Sequence, residues 1–244
     1  MSGNRPRNAK GAKTAAPDLG GLELDARRQV RLRTVEALKG GRTPLVVLEV
    51  AESATALADE MVNQAKARLP PPKLACKEGC DWCCHQRVGA AAPEVFRIIA
   101  HLRQTLPPEE FEMFRKRVIA ADTRRRAVKA EGGNSARWPC VLLVEHRCAA
   151  YAVRPLTCRG FNSRDARRCE LSLDAGHRLA VPAYTPQVWV NTFALDGMRA
   201  GLNESRLKGD LLELTGALRI ALEERDSIER WGSGEAFFAP ARIE

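Results

Sequence analysis

The chain has 244 residues, a formal net charge of +9, 45% hydrophobic and 5% aromatic content, and eight cysteines. That is enough apolar material to bury a real core, as one domain with appendages or two small ones. The longest apolar runs, such as Leu45-Val46-Val47-Leu48 and Val141-Leu142-Leu143-Val144, are far too short to span a bilayer, and the basic start has no apolar run behind it, so neither a membrane span nor an export signal is expected.

In chain order, residues 1–20 are small, polar and basic without periodicity and are expected to form a disordered basic tail. Residues 21–70 are expected to form N-terminal helices. Glu23 to Lys39 reads as a charged helix closed by Gly40-Gly41. Thr43-Pro44 is a cap followed by proline at the first helical position, with Leu45, Leu48, Ala51, Thr55, Ala58, Val62 and Ala65 recurring at helical spacing. Pro70-Pro71-Pro72 must end that helix and leave an extended spacer.

Helices are further expected over Pro93–Leu106, with Val95, Phe96, Ile99 and Leu102 inward, and over Pro108–Ala130, ended by Gly132-Gly133. The segments around Glu145-His146-Arg147 suggest a small hairpin that brings Cys140 and Cys148 together. A loop is expected from Arg154 to Cys169, and a helix over Val188–Ala200. Asn203 is read as the cap of an amphipathic helix carrying Leu207, Leu211, Leu214, Leu218, Ala221 and Leu222. The tail with Trp231, Phe237 and Phe238 is expected to pack as an irregular extension.

The excess positive charge has two sources: Arg5, Arg7, Lys10 and Lys13 in the tail, and Arg115, Lys116, Arg117, Arg124, Arg125, Arg126 and Lys129 opposed by Asp122. At 100° per residue the second set spreads over every side of its helix left by the apolar stripe, which reads as a solvated surface more than a phosphate-binding face. Nucleic acid is therefore a weakly supported partner, and the scarcity of aromatics argues against base stacking. There is no glycine-rich phosphate loop, GxSxG or HExxH pattern.

The informative stretch is Cys76-x3-Cys80-x2-Cys83-Cys84, four thiols within nine residues, followed by Cys140, Cys148, Cys158 and Cys169. In a cytoplasmic, reducing compartment, which is the expected location, such thiols favour metal binding or redox chemistry over disulfides. Gly79 supplies the backbone freedom to turn Cys76 and Cys80 back on one ion. A tetrahedral zinc and a four-iron cluster each take four thiolates, so eight could furnish two sites, or one with spare thiols. In extended backbone, Cys83 and Cys84 would point to opposite faces and serve different sites. His85 and His146 read first as surface or hydrogen-bonded residues, and Tyr151 as a packed aromatic with a hydrogen-bonded hydroxyl. Arg87, Arg154 and Arg159 are near enough in sequence to offset thiolate charge.

Cys76-x3-Cys80-x2-Cys83-Cys84, then Pro139-Cys140 with an apolar strand, then Cys148-x2-Tyr151-x2-Arg154-Pro155-x2-Cys158-Arg159, resembles the CxxCxxCC (YkgJ-like) zinc- or iron-chelating cysteine-cluster family over roughly residues 74–170. The resemblance implies metal binding and leaves the reaction open; a related cluster is associated with a flagellin lysine methylase.

The expectation is thus a mainly α fold, a small helical domain around a cysteine-ligated metal core with short β-hairpin elements. Residues 71–175 would form the cysteine-cluster domain and 176–244 a C-terminal helical extension. The expected ligands are Cys76, Cys80, Cys83, Cys84, Cys140, Cys148, Cys158 and Cys169, and the expected cofactor is Zn2+ or iron as an iron-sulfur cluster. A redox or cluster-dependent role is weighed against a zinc-stabilised module that binds a protein or nucleic acid.

Overall fold

The computed structural model describes residues 20–130, 138–176 and 179–243. The basic tail, apart from Gly20, and the helix stop at Gly132-Gly133 lie outside the described residues. Helix dominates: α1 Leu22–Lys39, α2 Pro44–Arg68, α3 Ala92–Thr105, α4 Pro108–Ala130, α5 Leu156–Gly160, α6 Ala166–Asp174, α7 Thr185–Glu204, α8 Leu214–Glu223 and α9 Ser227–Gly232. Four two-residue strands, β1 Gly89–Ala90, β2 Leu143–Val144, β3 Arg147–Cys148 and β4 Leu212–Glu213, pair antiparallel as β1 with β4 and β2 with β3. The fold is mainly α, as the periodicity predicts, and no helix among the described residues is long and apolar enough to cross a membrane.

α1 buries Leu22, Ala26, Val30, Thr34 and Leu38, one residue per turn, against α7 and α2. The α1–α7 approach is close enough to require glycine: a Cβ on Gly197 would lie 2.3 Å from the Arg27 carbonyl oxygen. α2 begins where expected, with the Thr43 hydroxyl accepting the Val46 N–H at 3.4 Å and Pro44 at the first helical position. Of the face expected inward, Ala51, Thr55, Ala58, Val62 and Ala65 are buried, whereas Leu45 is 75% exposed and Leu48 half-buried. Val47, Val50, Ala54 and Leu57 widen the buried stripe because α2 packs against α1, α3 and α7.

The C-terminal region differs most from expectation. α7 is longer than Val188–Ala200 at both ends, and Asn203 lies in its last turn, where its Oδ1 accepts the Gly209 N–H at 3.0 Å. The helix expected from Asn203 starts only at Leu214, capped by the Glu213 carboxylate accepting from Gly216 N–H at 2.8 Å. The intervening chain is diverted because β4 pairs with β1, where the two strands satisfy each other's backbone groups. The tail packs, as expected, but partly as helix: Trp231 and Phe238 are buried, with ring centroids 5.9 and 5.7 Å from Phe96. On α4, buried Asp122 accepts from Arg126 at 2.6 Å and Arg219 at 3.2 Å, and Arg125 bonds Glu213 at 3.0 Å, so part of the basic helix is committed within the molecule.

Candidate metal centre

The first cysteine segment is held by backbone bonds. After the proline spacer, the Ala75 N–H donates to the Ser163 carbonyl at 2.8 Å, and the Ser163 N–H donates to the Cys76 sulfur at 3.2 Å. Gly79, at φ 78°, turns the chain so that the Cys80 N–H reaches the Lys77 carbonyl at 3.1 Å. Trp82–His85 then form a 3₁₀ turn instead of the extended backbone expected for Cys83 and Cys84. In this tighter turn the two thiols do not point to opposite faces; the Cys84 S–H donates to the Cys83 sulfur.

The second segment docks directly on the first: the Cys140 N–H donates to the Cys84 carbonyl at 2.7 Å. The expected hairpin follows, with Leu143 opposite Cys148 and a two-residue turn at Glu145-His146, whose φ values of 47° and 64° match the twist of paired strands. The loop expected from Arg154 to Cys169 is instead mostly two short helices. α5 carries Cys158, and its first N–H, that of Leu156, is accepted by Glu94 at 2.7 Å. α6 carries Cys169; it is capped by Asp165, which accepts the Arg168 N–H at 2.9 Å, and it packs against the 82–85 turn. Fixed φ at Pro155 and the side-chain cap at Asp165 compensate the end groups of helices too short to show periodicity.

The eight thiols are all free, and they gather in two neighbourhoods. In the inner one, Cys140, Cys148 and Cys158 pack against the apolar core and Cys84 interacts electrostatically with Cys140 and Cys148. Burial pushes the Cys140 thiol up to about 11 and Cys158 well above its ordinary value, and the neighbouring thiols add to both. Cys148 is also raised by burial, opposed by Arg154. In the outer neighbourhood, Cys76 and Cys169 interact electrostatically with Cys80 and Cys83; both are raised, first by burial, and then by these neighbours. Cys83 lies between the groups. It is held low, chiefly because the Cys84 S–H donates to it, then by its own backbone N–H and last by the Arg154 guanidinium, while the same shared proton and burial hold Cys84 high.

Mutual repulsion and burial both disfavour thiolates here, so a soft cation that removes the protons would relieve both costs. The donor chemistry therefore fits zinc or iron. Among the described residues no three His, Cys, Asp or Glu side chains already stand in metal-holding geometry, so binding requires the thiols to draw together.

Other residues near the thiols take roles that differ in part from those expected. Tyr151 is 62% exposed and not packed; it lies beneath the Arg154 guanidinium, 4.2 Å from its ring centroid, because the Tyr151–Val153 turn projects it from the surface. Arg154 does offset thiol charge, but Arg159 is engaged by Asp59 at 2.8 Å and by the Arg154 and Ala152 carbonyls, and Arg87 is exposed. Buried Asp81, not singled out from the sequence, has His146 Nδ1 at 3.0 Å and His85 Nε2 at 3.5 Å from its Oδ2. Glu94 was also missed. Fully buried, it accepts the Ala91 and Leu156 N–H groups at 2.8 and 2.7 Å and so ties α3 to the cysteine-bearing α5; burial raises its carboxyl to about 7. An acid at the third position of a proline-started helix is the signal for it.

No curated protein and no solved structure matches the chain. Residues 75–174, which hold all eight cysteines and both thiol neighbourhoods, match the model of the CxxCxxCC family, described as a putative zinc- or iron-chelating domain.

Proposed function

We propose that the protein chelates zinc or an iron-sulfur cluster through two four-thiolate centres. The inner centre comprises Cys84, Cys140, Cys148 and Cys158, and the outer one Cys76, Cys80, Cys83 and Cys169. The observation that supports this division is the sorting of the thiols into two neighbourhoods: Cys76, Cys80, Cys83 and Cys169 line one cavity, and Cys84 interacts with the core-backed Cys140 and Cys148. Four thiolates are what a tetrahedral zinc or a four-iron cluster requires. The core-backed inner centre suits a structural role, in which metal binding couples residues 140–158 to the 76–84 segment. The outer centre, with Cys76 and Cys83 exposed, suits electron transfer or support of a modification reaction. Arg154 beside Cys83 and the Ser163 N–H on Cys76 would offset the excess negative charge and raise a cluster's potential. Reduced thiols of this number suit a reducing compartment such as the cytoplasm.

The test is anaerobic purification followed by metal, acid-labile sulfide and visible absorption measurements on wild type, Cys158→Ser and Cys76→Ser. Each variant is expected to lose one centre and keep the other. Full stoichiometry in either variant removes that residue from the ligand set, and simultaneous loss of all metal in both replaces two centres with one. Brown protein with sulfide selects the cluster, and colourless protein with zinc selects the ion.

A further inference from the structure

The outer thiols form one wall of a cavity of about 320 Å³, roughly ten times the share of liquid volume of a water molecule, so an ion would leave most of it open. The facing wall is apolar: Leu179, Val181 and Ala183 from the segment after α6, and Val188 from α7. That wall is strapped in place. Ser172 Oγ donates to the Leu179 carbonyl at 2.9 Å, Arg168 Nε to that of Ala180 at 3.0 Å, and the Arg164 N–H to that of Pro182 at 2.9 Å.

The cavity's polarity narrows what fits. Among the described residues no lysine, arginine, aspartate or glutamate lines it, so an anion would lose its hydration without a counter-ion and meet the thiolates, while a cation would lose its hydration against the apolar facing wall. Of the polar side chains there, Asn162 is spent on Gly160 and both backbone groups of Tyr184, Ser163 on Asp165, and Ser172 on Leu179. Gln86 and Trp82 also line the cavity and have no side-chain hydrogen bond among the described residues, which leaves an amide able to donate and accept and an indole N–H able to donate.

We propose that this cavity binds a small, uncharged, largely apolar molecule carrying one hydrogen-bonding group, with Gln86 and the Trp82 indole N–H as its polar contacts and the outer thiols at one edge. An apolar lining with a few polar anchors is the usual build of a small-molecule site. The inference rests on the metal reading only for what the ligand meets at the sulfur edge; the apolar wall stands independently of it.

The test is calorimetric titration of the metal-loaded full chain with p-cresol, neutral at pH 7, against benzoate as the charged counterpart, with metal content measured on the same samples. Saturable one-to-one binding of p-cresol is expected, weaker by about tenfold or more for benzoate. Ala183→Trp, which fills the cavity, should weaken p-cresol by about tenfold or more while metal content holds. Val188→Phe is a smaller filling that guards against misfolding of the first variant. Absence of saturable p-cresol binding, or binding unchanged in both folded variants, overturns the proposal. Binding in a protein that takes up no metal keeps the cavity and removes the metal reading; metal without p-cresol binding does the reverse.

Discussion

The two thiol neighbourhoods differ in what stands behind them. Cys140, Cys148 and Cys158 pack against a core cluster that includes the buried Val141, Leu142, Ala150 and Leu156, so a movement of those sulfurs bears on the core. Cys76, Cys80, Cys83 and Cys169 face a cavity, and their segments are positioned by a glycine turn, a 3₁₀ turn, a few backbone bonds and a short capped helix. The same chemistry thus sits in two mechanical settings. Where packing is dense, a change at a thiol is transmitted to the fold; where it is open, the change stays local.

That contrast predicts a graded series. Cys158→Ser should have the largest effect, loss of the inner metal together with several kcal/mol of stability, since structural zinc binding of about 10–16 kcal/mol is folding free energy in small domains. Metal analysis and thermal unfolding check it, and a variant of unchanged stability would erase the distinction between the two groups. Leu156→Ala, fully buried at the start of the helix that carries Cys158, should cost about 2–5 kcal/mol by denaturant unfolding. It should also loosen the inner metal without affecting the outer.

Glu94→Gln should cost about 1–3 kcal/mol at low pH, because an amide presents only one acceptor to the two N–H groups that the carboxyl now serves. It should also alter the pH profile. The folded carboxyl titrates near 7 against an ordinary 4.5, so the neutral form is the one the fold favours. Its contribution is fully present below about pH 4.5 and is lost as pH rises through about 7. The stability difference between wild type and Glu94→Gln should therefore shrink across that window, and a constant difference would show that the carboxyl does not titrate there.

Cys76→Ser, in the open neighbourhood, should abolish outer metal binding while changing stability by less than about 1 kcal/mol, within the range of ordinary surface substitutions. The smallest effect is expected for Arg154→Ala. With stability unchanged to within about 0.5 kcal/mol, it should raise the Cys83 thiol and slow its alkylation in metal-free protein, measured by mass spectrometry.

Much of this arrangement was legible in the residues. The proline-started α2, the α3 and α4 spans and the hairpin between Cys140 and Cys148 all follow from local rules: a cap, a missing donor, or a periodic apolar face. α5 and α6 were read as loop because five and nine residues give too little periodicity, and their ends are stabilised by contacts from elsewhere, such as Glu94 on Leu156. The helix expected from Asn203 failed for a similar reason: the 207–213 stretch satisfies helical spacing, but Leu207 and Gly209 bond back to the end of α7, Leu211 accepts from Ile243, and Leu212 and Glu213 pair with β1, far away in sequence.

Alone, the sequence determined that the chain is mainly helical and that its eight cysteines fall in a spacing suited to metal, because helix propensity, proline stops and cysteine spacing act over a few residues. Tertiary structure alone decided which thiols are neighbours, which of them pack on the core, and that the outer ones open on a cavity with no charged side chain among the described residues. Those properties depend on burial and on electrostatic fields summed over segments more than fifty residues apart, such as Cys84 and Cys140, and no local pattern encodes them.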